Sequence, residues 1–173
     1  MKYCLIAFLF FFALKASAKT QDTLATNIVY IEIAGNGGAV SGNYEWRFDR
    51  KFSLRLGLGY FTDAEYLHIG ENVYYQTVAK YVTVPLLINY FLNFGGRNNI
   101  QIGAGVSLFT GSSNTFALGG KAIGNSGIFP TASIGYRRQP KSEGFMIEIT
   151  ATPFYLGSGI FVCSAGLGFG YVF

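Results

Sequence analysis

The last eight residues of the chain, GLGFGYVF at 166–173, place a bulky apolar side chain at every second position and end on an aromatic ring. Strict alternation of this kind indicates a β-strand with one apolar side. The terminal residues of soluble domains are usually polar and poorly ordered. This strand instead requires apolar surroundings up to its final residue, and we expect those surroundings to be lipid.

Seven segments upstream show the same alternation, each with one apolar side. They are bounded by clusters of Gly, Asn, Asp, Ser or Lys, which are turn-forming residues. No apolar stretch beyond the first 18 residues is long enough for a transmembrane helix. The eight predicted strands are 28–36, 40–48, 52–61, 81–92, 100–110, 128–137, 145–155 and 161–173.

The two sides of these predicted strands differ in chemistry. One side is aliphatic and aromatic and carries no charge, whereas the other combines many glycines with hydroxyl groups and all of the charged side chains. The interior of an eight-stranded barrel is only just wide enough for side chains to fill, so the bulky side does not fit there. The pattern therefore predicts a barrel with its apolar side turned outward to lipid and its polar side lining the lumen.

The beginning of the chain has the pattern of a secretory signal peptide. An early lysine precedes an apolar run over 4–14 and the small residues AlaSerAla at 16–18. We predict that residues 1–18 are removed, that the polar residues 19–27 form a periplasmic lead-in, and that 28–173 form a single barrel domain.

Composition excludes two classes of function. Only 13% of residues are charged and 17% are aromatic, and 13 basic residues stand against 9 acidic ones, so we expect no nucleic-acid partner. Cys4 lies in the predicted signal peptide, and Cys163 alone cannot form an intramolecular bridge. A disulfide-stabilised secreted scaffold is therefore excluded.

The predicted connections alternate in length along the chain. Those at 49–51, 93–99 and 139–144 are short, whereas 62–80 and 111–127 are long and polar. Short periplasmic turns and long outer loops are typical of outer-membrane barrels. The sequence thus predicts an all-β fold, an eight-stranded antiparallel up-and-down transmembrane β-barrel in the bacterial outer membrane. This topology predicts an aromatic girdle at the periplasmic rim, formed by Phe48, Phe52, Tyr90, Tyr136, Phe145, Tyr171 and Phe173.

GLGFGYVF also resembles the C-terminal signature of bacterial outer-membrane barrels, which the barrel-assembly machinery recognises. The resemblance implies that role for Leu167, Phe169, Tyr171 and Phe173. The plan of the whole chain, and stretches such as TVPLLINYFL and FPTASIGYRRQP, are similar to small eight-stranded OmpA/OmpX-type barrels. We accordingly expect a monomer surrounded by outer-membrane lipid and lipopolysaccharide.

The lumen side carries three acids and three arginines near the periplasmic rim. An unpaired charge in a narrow lumen is costly, so we expect these groups to pair. Two interpretations follow: a structural plug that fixes strand register, or an ion gate whose pairs can open. A constitutive pore is disfavoured, because barrels with aqueous channels typically have about 16 or more strands. The six residues are Glu32, Glu45, Arg47, Arg55, Arg137 and Glu148.

Catalytic and metal motifs are weak. His68 is the single histidine, and it has neither the serine pattern of a hydrolase nor a metal-ligand spacing with Asp63, Glu65 or Glu71. GNGG at 35–38 lacks the lysine and helix of a phosphate-binding loop, so we interpret it as a turn. We predict no catalytic residue, cofactor or metal, and keep a lipid-modifying enzyme and a small-solute pore as the alternatives.

The long loops 62–80 and 111–127 are candidates for contact with an extracellular ligand. The first offers Tyr66, His68, Tyr74 and Tyr75. The alternative is that its residues extend the strands above the membrane, because VYYQTVAKYV itself alternates.

A proline interrupts the fourth predicted strand. Pro85 has no N–H to donate, and a closed barrel has no edge at which that loss is harmless. We therefore predict a β-bulge at this position.

Overall fold

The computed structural model describes residues 27–68, 74–93, 97–111, 117–118, 121–122, 126–155 and 161–173. Its strands are β1 (Asn27–Ile33), β2 (Val40–Arg47), β3 (Phe52–His68), β4 (Tyr74–Asn93), β5 (Asn98–Gly111), β6 (Ala117–Leu118), β7 (Lys121–Ala122), β8 (Ser126–Arg138), β9 (Gly144–Tyr155) and β10 (Phe161–Val172). A short 3₁₀ helix, Gly35–Gly37, lies between β1 and β2. Within these ranges no helix has the length and apolar character needed to cross a membrane.

Eight of the strands close into a barrel in the order β1-β10-β9-β8-β5-β4-β3-β2, while β6 and β7 pair only with each other. All pairings are antiparallel. The predicted eight-stranded antiparallel up-and-down barrel is confirmed. We call the end that carries the described chain termini the periplasmic end, following the predicted orientation, and the opposite end the outer end. The predicted signal peptide 1–18 lies outside the described residues, as do residues 19–26.

Closure of the barrel uses the final residue of the chain. The backbone N–H of Asn27 donates to the carbonyl of Phe173 at 3.0 Å, and the N–H of Phe173 donates back to Asn27 at 2.9 Å. Asn27 is thus the first residue of β1, one position earlier than the predicted strand 28–36. It pairs because the register of β1 with β10 continues to the chain end, where both backbone groups of Phe173 need partners.

The predicted orientation of the two strand faces is confirmed. On the outside, Ile31 and Leu58 are 59% and 63% exposed, whereas Glu32 and Arg55 are fully buried in the lumen. Charged residues face outward where strands run beyond the predicted bounds: β8 ends one residue later, at the exposed Arg138, and β4 begins earlier and carries the exposed Lys80. Within the predicted strand bounds, every charged side chain faces inward, as expected.

The predicted loop 62–80 is largely strand. β3 runs to His68 and β4 begins at Tyr74, and the two stay paired as far as His68 opposite Tyr74. The alternative interpretation of the alternating segment was the correct one. The other predicted loop, 111–127, contains the β6–β7 hairpin.

Pro85 does not produce the predicted bulge. The β3–β4 pairing stops after Leu56 opposite Leu86 and resumes at Gly59 opposite Thr83 in the same register, so no residue has been inserted. On its other side Pro85 stays paired with β5, opposite Ser107. A Cβ atom at Gly57 would come within 2.7 Å of the proline ring, so the ladder accommodates the missing donor through a local gap beside a glycine.

Candidate functional site: the lumen of the barrel

Arg137 lies at the centre of the lumen charges and contacts two carboxylates. Its Nη1 and Nη2 donate to the two carboxylate oxygens of Glu45, at 2.7 and 2.8 Å. Its Nε and Nη2 donate to Glu148 Oε2, at 2.8 and 2.5 Å. All three side chains are essentially inaccessible to solvent. A planar guanidinium group suits this double contact because it presents several donors in a rigid fork.

A second buried pair adjoins the first. Arg55 donates through Nη2 to Glu32 Oε2 and, through Nε, to Asn43 Oδ1 at 3.0 Å. The other oxygen of Glu32 accepts a hydrogen bond from Thr150 at 3.3 Å. Glu32 lies on β1 and Arg55 on β3, so this pair joins strands that are not neighbours in the barrel.

Arg47 differs from the other two arginines. Among the described residues, no carboxylate lies within ion-pair distance of it. Its guanidinium carbon instead lies 4.1 Å from the centre of the Phe91 ring, and that of Arg137 lies 5.1 Å from the same ring. Five of the six predicted lumen charges thus form ion pairs, and the sixth stacks on an aromatic ring beside them.

Glycines supply the space that these side chains occupy. A Cβ atom at Gly168 would lie 2.5 Å from Cγ of Glu148, and one at Gly166 would lie 2.7 Å from Oε1 of Glu32. The inward glycines of β10 therefore make room for the carboxylates that the arginines contact.

The first outer connection folds into the lumen, which the sequence did not indicate beyond a turn. The side-chain amide of Asn36 donates to Thr131 Oγ1 at 2.5 Å and to the carbonyl of Ala132 at 3.2 Å. The hydroxyl groups of Ser107 and Thr83 donate to the carbonyls of Asn36 and Gly37, at 3.2 and 2.5 Å. The 3₁₀ segment is thus hydrogen-bonded to three strands across the barrel.

The backbone of this segment explains its glycines. Gly35 and Gly38 have φ values of 87° and 93°, which glycine adopts without steric cost. Ala34 has a φ of 58°, an uncommon value for a residue with a Cβ atom. GNGG at 35–38 therefore turns the chain inward between β1 and β2.

Apolar side chains occupy both ends of the lumen, and the sequence analysis missed them. At the periplasmic end Ile28, Tyr30, Met146 and Val172 form one buried cluster. At the outer end a row of rings crosses four neighbouring strands, with centroid separations of 4.9, 6.3 and 4.3 Å. The sequence did contain a sign of these clusters, because apolar residues interrupt the polar side of several strands, most clearly in β4. The row consists of Phe61, Tyr81, Phe109 and Phe129.

The lumen is thus filled in layers. β4, β5 and β8 each carry one hydroxyl residue that is hydrogen-bonded to the 3₁₀ segment. Two positions further toward the outer end, on the same inward face, each of these strands carries an aromatic residue. These pairs are Thr83 and Tyr81, Ser107 and Phe109, and Thr131 and Phe129. From the periplasmic end, the order is an apolar cluster, ion pairs, the 3₁₀ segment and the aromatic row.

The predicted surface residues lie on the β3–β4 hairpin. Tyr66 and His68 are in β3, and Tyr74 and Tyr75 are in β4, where they pair opposite His68 and Leu67. β2 pairs with β3 only as far as Tyr60, and β5 pairs with β4 only from Tyr81. Within the described ranges, the hairpin beyond these points has no further strand on either edge.

The C-terminal residues and the aromatic girdle also have defined positions. Leu167, Phe169 and Tyr171 all point outward from β10, and Phe173 is half-buried at the rim. Rings meet around this rim, with centroid separations of 6.3 Å for Phe48–Phe52, 5.1 Å for Phe52–Tyr90 and 5.5 Å for Phe145–Tyr171.

No metal site emerges from the part of the chain that the structure describes. There, no three His, Cys, Asp or Glu side chains are grouped so as to hold a metal ion. Cys163 is a free, exposed cysteine on the outer wall of β10.

Comparison with known proteins agrees with this architecture. No protein-family model and no curated protein matches the sequence. Among solved structures, the N-terminal β-barrel domain of Pseudomonas aeruginosa OprF matches with 15% identity and a TM-score of 0.54, over 85% of this chain and 95% of that one. Yersinia pestis Ail, determined in a phospholipid bilayer nanodisc, matches with 14% identity and a TM-score of 0.55, over 86% and 99%. This chain therefore has the fold of the eight-stranded outer-membrane β-barrels, in agreement with the resemblance to OmpA/OmpX-type proteins.

Proposed function

We propose that the protein is an integral outer-membrane barrel with a structural or surface-interaction role and a closed lumen. The observation that carries this proposal is the pairing of an apolar exterior with a lumen filled by buried ion pairs and a hydrogen-bonded 3₁₀ segment. The ion pairs join β1 to β3 and β2 to β8, so they tie together strands that the backbone ladder does not connect. Their role in this proposal is to hold register, as a structural plug.

A conductance measurement tests the closed lumen. Purified protein inserted into planar bilayers is expected to give no stepwise current. The Asn36→Ala variant is measured beside it, because it loses both hydrogen bonds that fix the 3₁₀ segment to β8 and so weakens the outer half of the plug. Regular conductance steps from the wild-type protein would refute the plug and favour the small-solute pore.

The surface-interaction part of the proposal rests on the β3–β4 hairpin. A strand pair with open edges offers backbone donors and acceptors to an extracellular ligand. Tyr66, His68, Tyr74 and Tyr75 remain the candidate contacts, together with the connection 111–127. An epitope inserted between β3 and β4 should be detected by antibody on intact cells. Detection only after permeabilisation would contradict the assigned orientation.

The rival function is modification of lipid by an enzyme, for which His68 is the histidine available as a base. We propose that the protein has no such activity. Lipid A from cells that express the wild type and from cells that express His68→Ala should have the same composition. A modification that depends on His68 would overturn the proposal.

Assembly and partners follow from the same proposal. Outward Leu167, Phe169 and Tyr171 with terminal Phe173 remain the predicted signal for the barrel-assembly machinery. The barrel is proposed to act as a monomer in contact with outer-membrane lipid and lipopolysaccharide.

A further inference from the structure

A cleft of about 480 Å³ lies at the periplasmic end of the barrel, beside the turn between β8 and β9. The outward-facing side chains of β8, β9 and β10 place it on the outer wall. It has an apolar side and a charged side, formed respectively by Phe145, Ile147 and Phe169 and by Arg97, Arg138 and Glu143.

Arg138 is the outward-facing charge of β8, and its place near the end of the strand indicates how close to the membrane surface the cleft lies. It pairs opposite Ile147 on β9, which in turn pairs opposite Phe169 on β10. Phe145, one pleat nearer the rim than Ile147, is 85% exposed. An arginine on the lipid face is costly at the middle of a bilayer but is tolerated at the interface, where its long side chain can reach polar head groups.

Arg97 is held beside Arg138 by the backbone. Its carbonyl accepts a hydrogen bond from the N–H of Gln139 at 2.8 Å, and the residue after Arg97 pairs opposite Arg138. In the described part of the chain, none of Arg97, Arg138 and Glu143 has an ion-pair partner. Two guanidinium groups and one carboxylate are therefore left around an apolar wall.

We propose that this cleft binds the head group of a periplasmic-leaflet phospholipid that carries both a phosphate and a primary ammonium group. The phosphate lies between Arg97 and Arg138, because guanidinium groups match phosphate oxygens in charge and geometry. The ammonium group lies at Glu143, and the acyl chains run along Phe145, Ile147 and Phe169. The mixed charge of the cleft is the reason to choose a phosphoethanolamine head group over one that carries phosphate alone. The inference rests on the proposed location in the membrane.

Native mass spectrometry of the full barrel tests the assignment. The protein is mixed in detergent with equal amounts of phosphatidylethanolamine, phosphatidylcholine and phosphatidylglycerol of matched chain length, and the lipid that it retains is counted. We expect roughly fivefold higher retention of phosphatidylethanolamine than of phosphatidylcholine, whose methylated ammonium has no N–H to donate to Glu143. Glu143→Gln should remove that preference, and the Arg97→Gln/Arg138→Gln variant should lower retention of all three lipids.

Arg50→Gln is the matched control. Arg50 is an exposed arginine in another periplasmic turn and does not line the cleft, and its replacement by Gln removes one positive charge, as the replacement of each cleft arginine does. This variant should retain lipid like the wild type. Equal retention by Arg50→Gln and by the double arginine variant would overturn the inference, as would an unchanged lipid preference in Glu143→Gln. Competition by soluble glycerophosphoethanolamine as strong as by the intact lipid would also overturn it, because the apolar wall would then have no part.

A separate measurement distinguishes failure of this inference from failure of the proposed function. Wild-type protein is refolded into phosphatidylcholine vesicles and separated by flotation. Flotation with unselective lipid retention would contradict the cleft assignment alone. Failure to float would contradict the membrane location and the inference that depends on it.

Discussion

Removal of the Arg137 guanidinium should be among the most destabilising single changes in this barrel. Arg137→Met keeps a long side chain but deletes four charge-assisted hydrogen bonds and leaves Glu45 and Glu148 buried without that cation. Removing one partner of a buried ion pair typically costs about 3–5 kcal/mol, most of which comes from the charge left behind. Two carboxylates lose their partner here, so we expect the upper part of that range.

The measurement is equilibrium unfolding by urea of the barrel reconstituted in phospholipid vesicles. Trp46, the one tryptophan of the chain, points outward next to Glu45 and reports the transition by its fluorescence.

A compensated variant controls for loss of packing. Arg137→Met/Glu45→Gln/Glu148→Gln removes the cation and both anions together, and it should recover all but about 1–2 kcal/mol of the wild-type stability. The reasoning would be refuted if the single variant unfolded within roughly 0.5 kcal/mol of the wild type, the range of an ordinary surface substitution. It would equally be refuted if the triple variant were no more stable than the single one.

Three further predictions address the outer wall and the inner plug. Trp46 neighbours Phe48 at the periplasmic rim, with ring centroids 5.7 Å apart. Its fluorescence should therefore be quenched more strongly by lipids brominated near the head group than by lipids brominated deep in the acyl chain. Strong quenching by aqueous iodide instead would contradict a lipid-facing wall. Gly59→Ala should lower the free energy of unfolding by about 1–3 kcal/mol, because the added Cβ would collide with the carbonyl of Gly37. Gly42→Ala is the matched control, since open space surrounds a Cβ at that position. Equal urea midpoints for Gly59→Ala and Gly42→Ala would disprove the docking of the 3₁₀ segment in the lumen. Asn36→Ala should lower the free energy of unfolding by about 1–3 kcal/mol in the same assay, because Thr131 and Ala132 lose their hydrogen-bond donor inside the lumen. An unchanged free energy of unfolding would contradict these two hydrogen bonds.

The architecture of this protein was readable from local pattern. Alternation over segments such as 100–110 predicts strands and their two faces, since successive side chains of a strand point to opposite sides. Bulky residues on one face and glycines on the other then decide the orientation, because an eight-stranded lumen has little room. The same alternation identified which charged residues, from Glu32 to Glu148, face the lumen.

Several features depended on contacts that local pattern does not encode. GNGG at 35–38 indicates a turn, but whether that turn points out or in depends on hydroxyl groups of β4, β5 and β8 that lie far along the chain. Pro85 suggested a bulge from its missing donor alone, whereas space beside Gly57 on the neighbouring strand allowed the register to continue. Tyr81 and Phe109 lie on the mostly polar, inward side of their strands, and they are buried there because rings from four strands meet inside the barrel.

The sequence by itself determined the strands, the closed barrel and which side chains face lipid, because these follow from a period of two and from the volume of the side chains. Only the tertiary structure decided which carboxylates Arg137 contacts, that Arg47 stacks on Phe91 instead of pairing, and that the first connection fills the lumen. The physical reason is that strand periodicity assigns a side chain to a face, whereas its partners within that face depend on the register and curvature of all eight strands together.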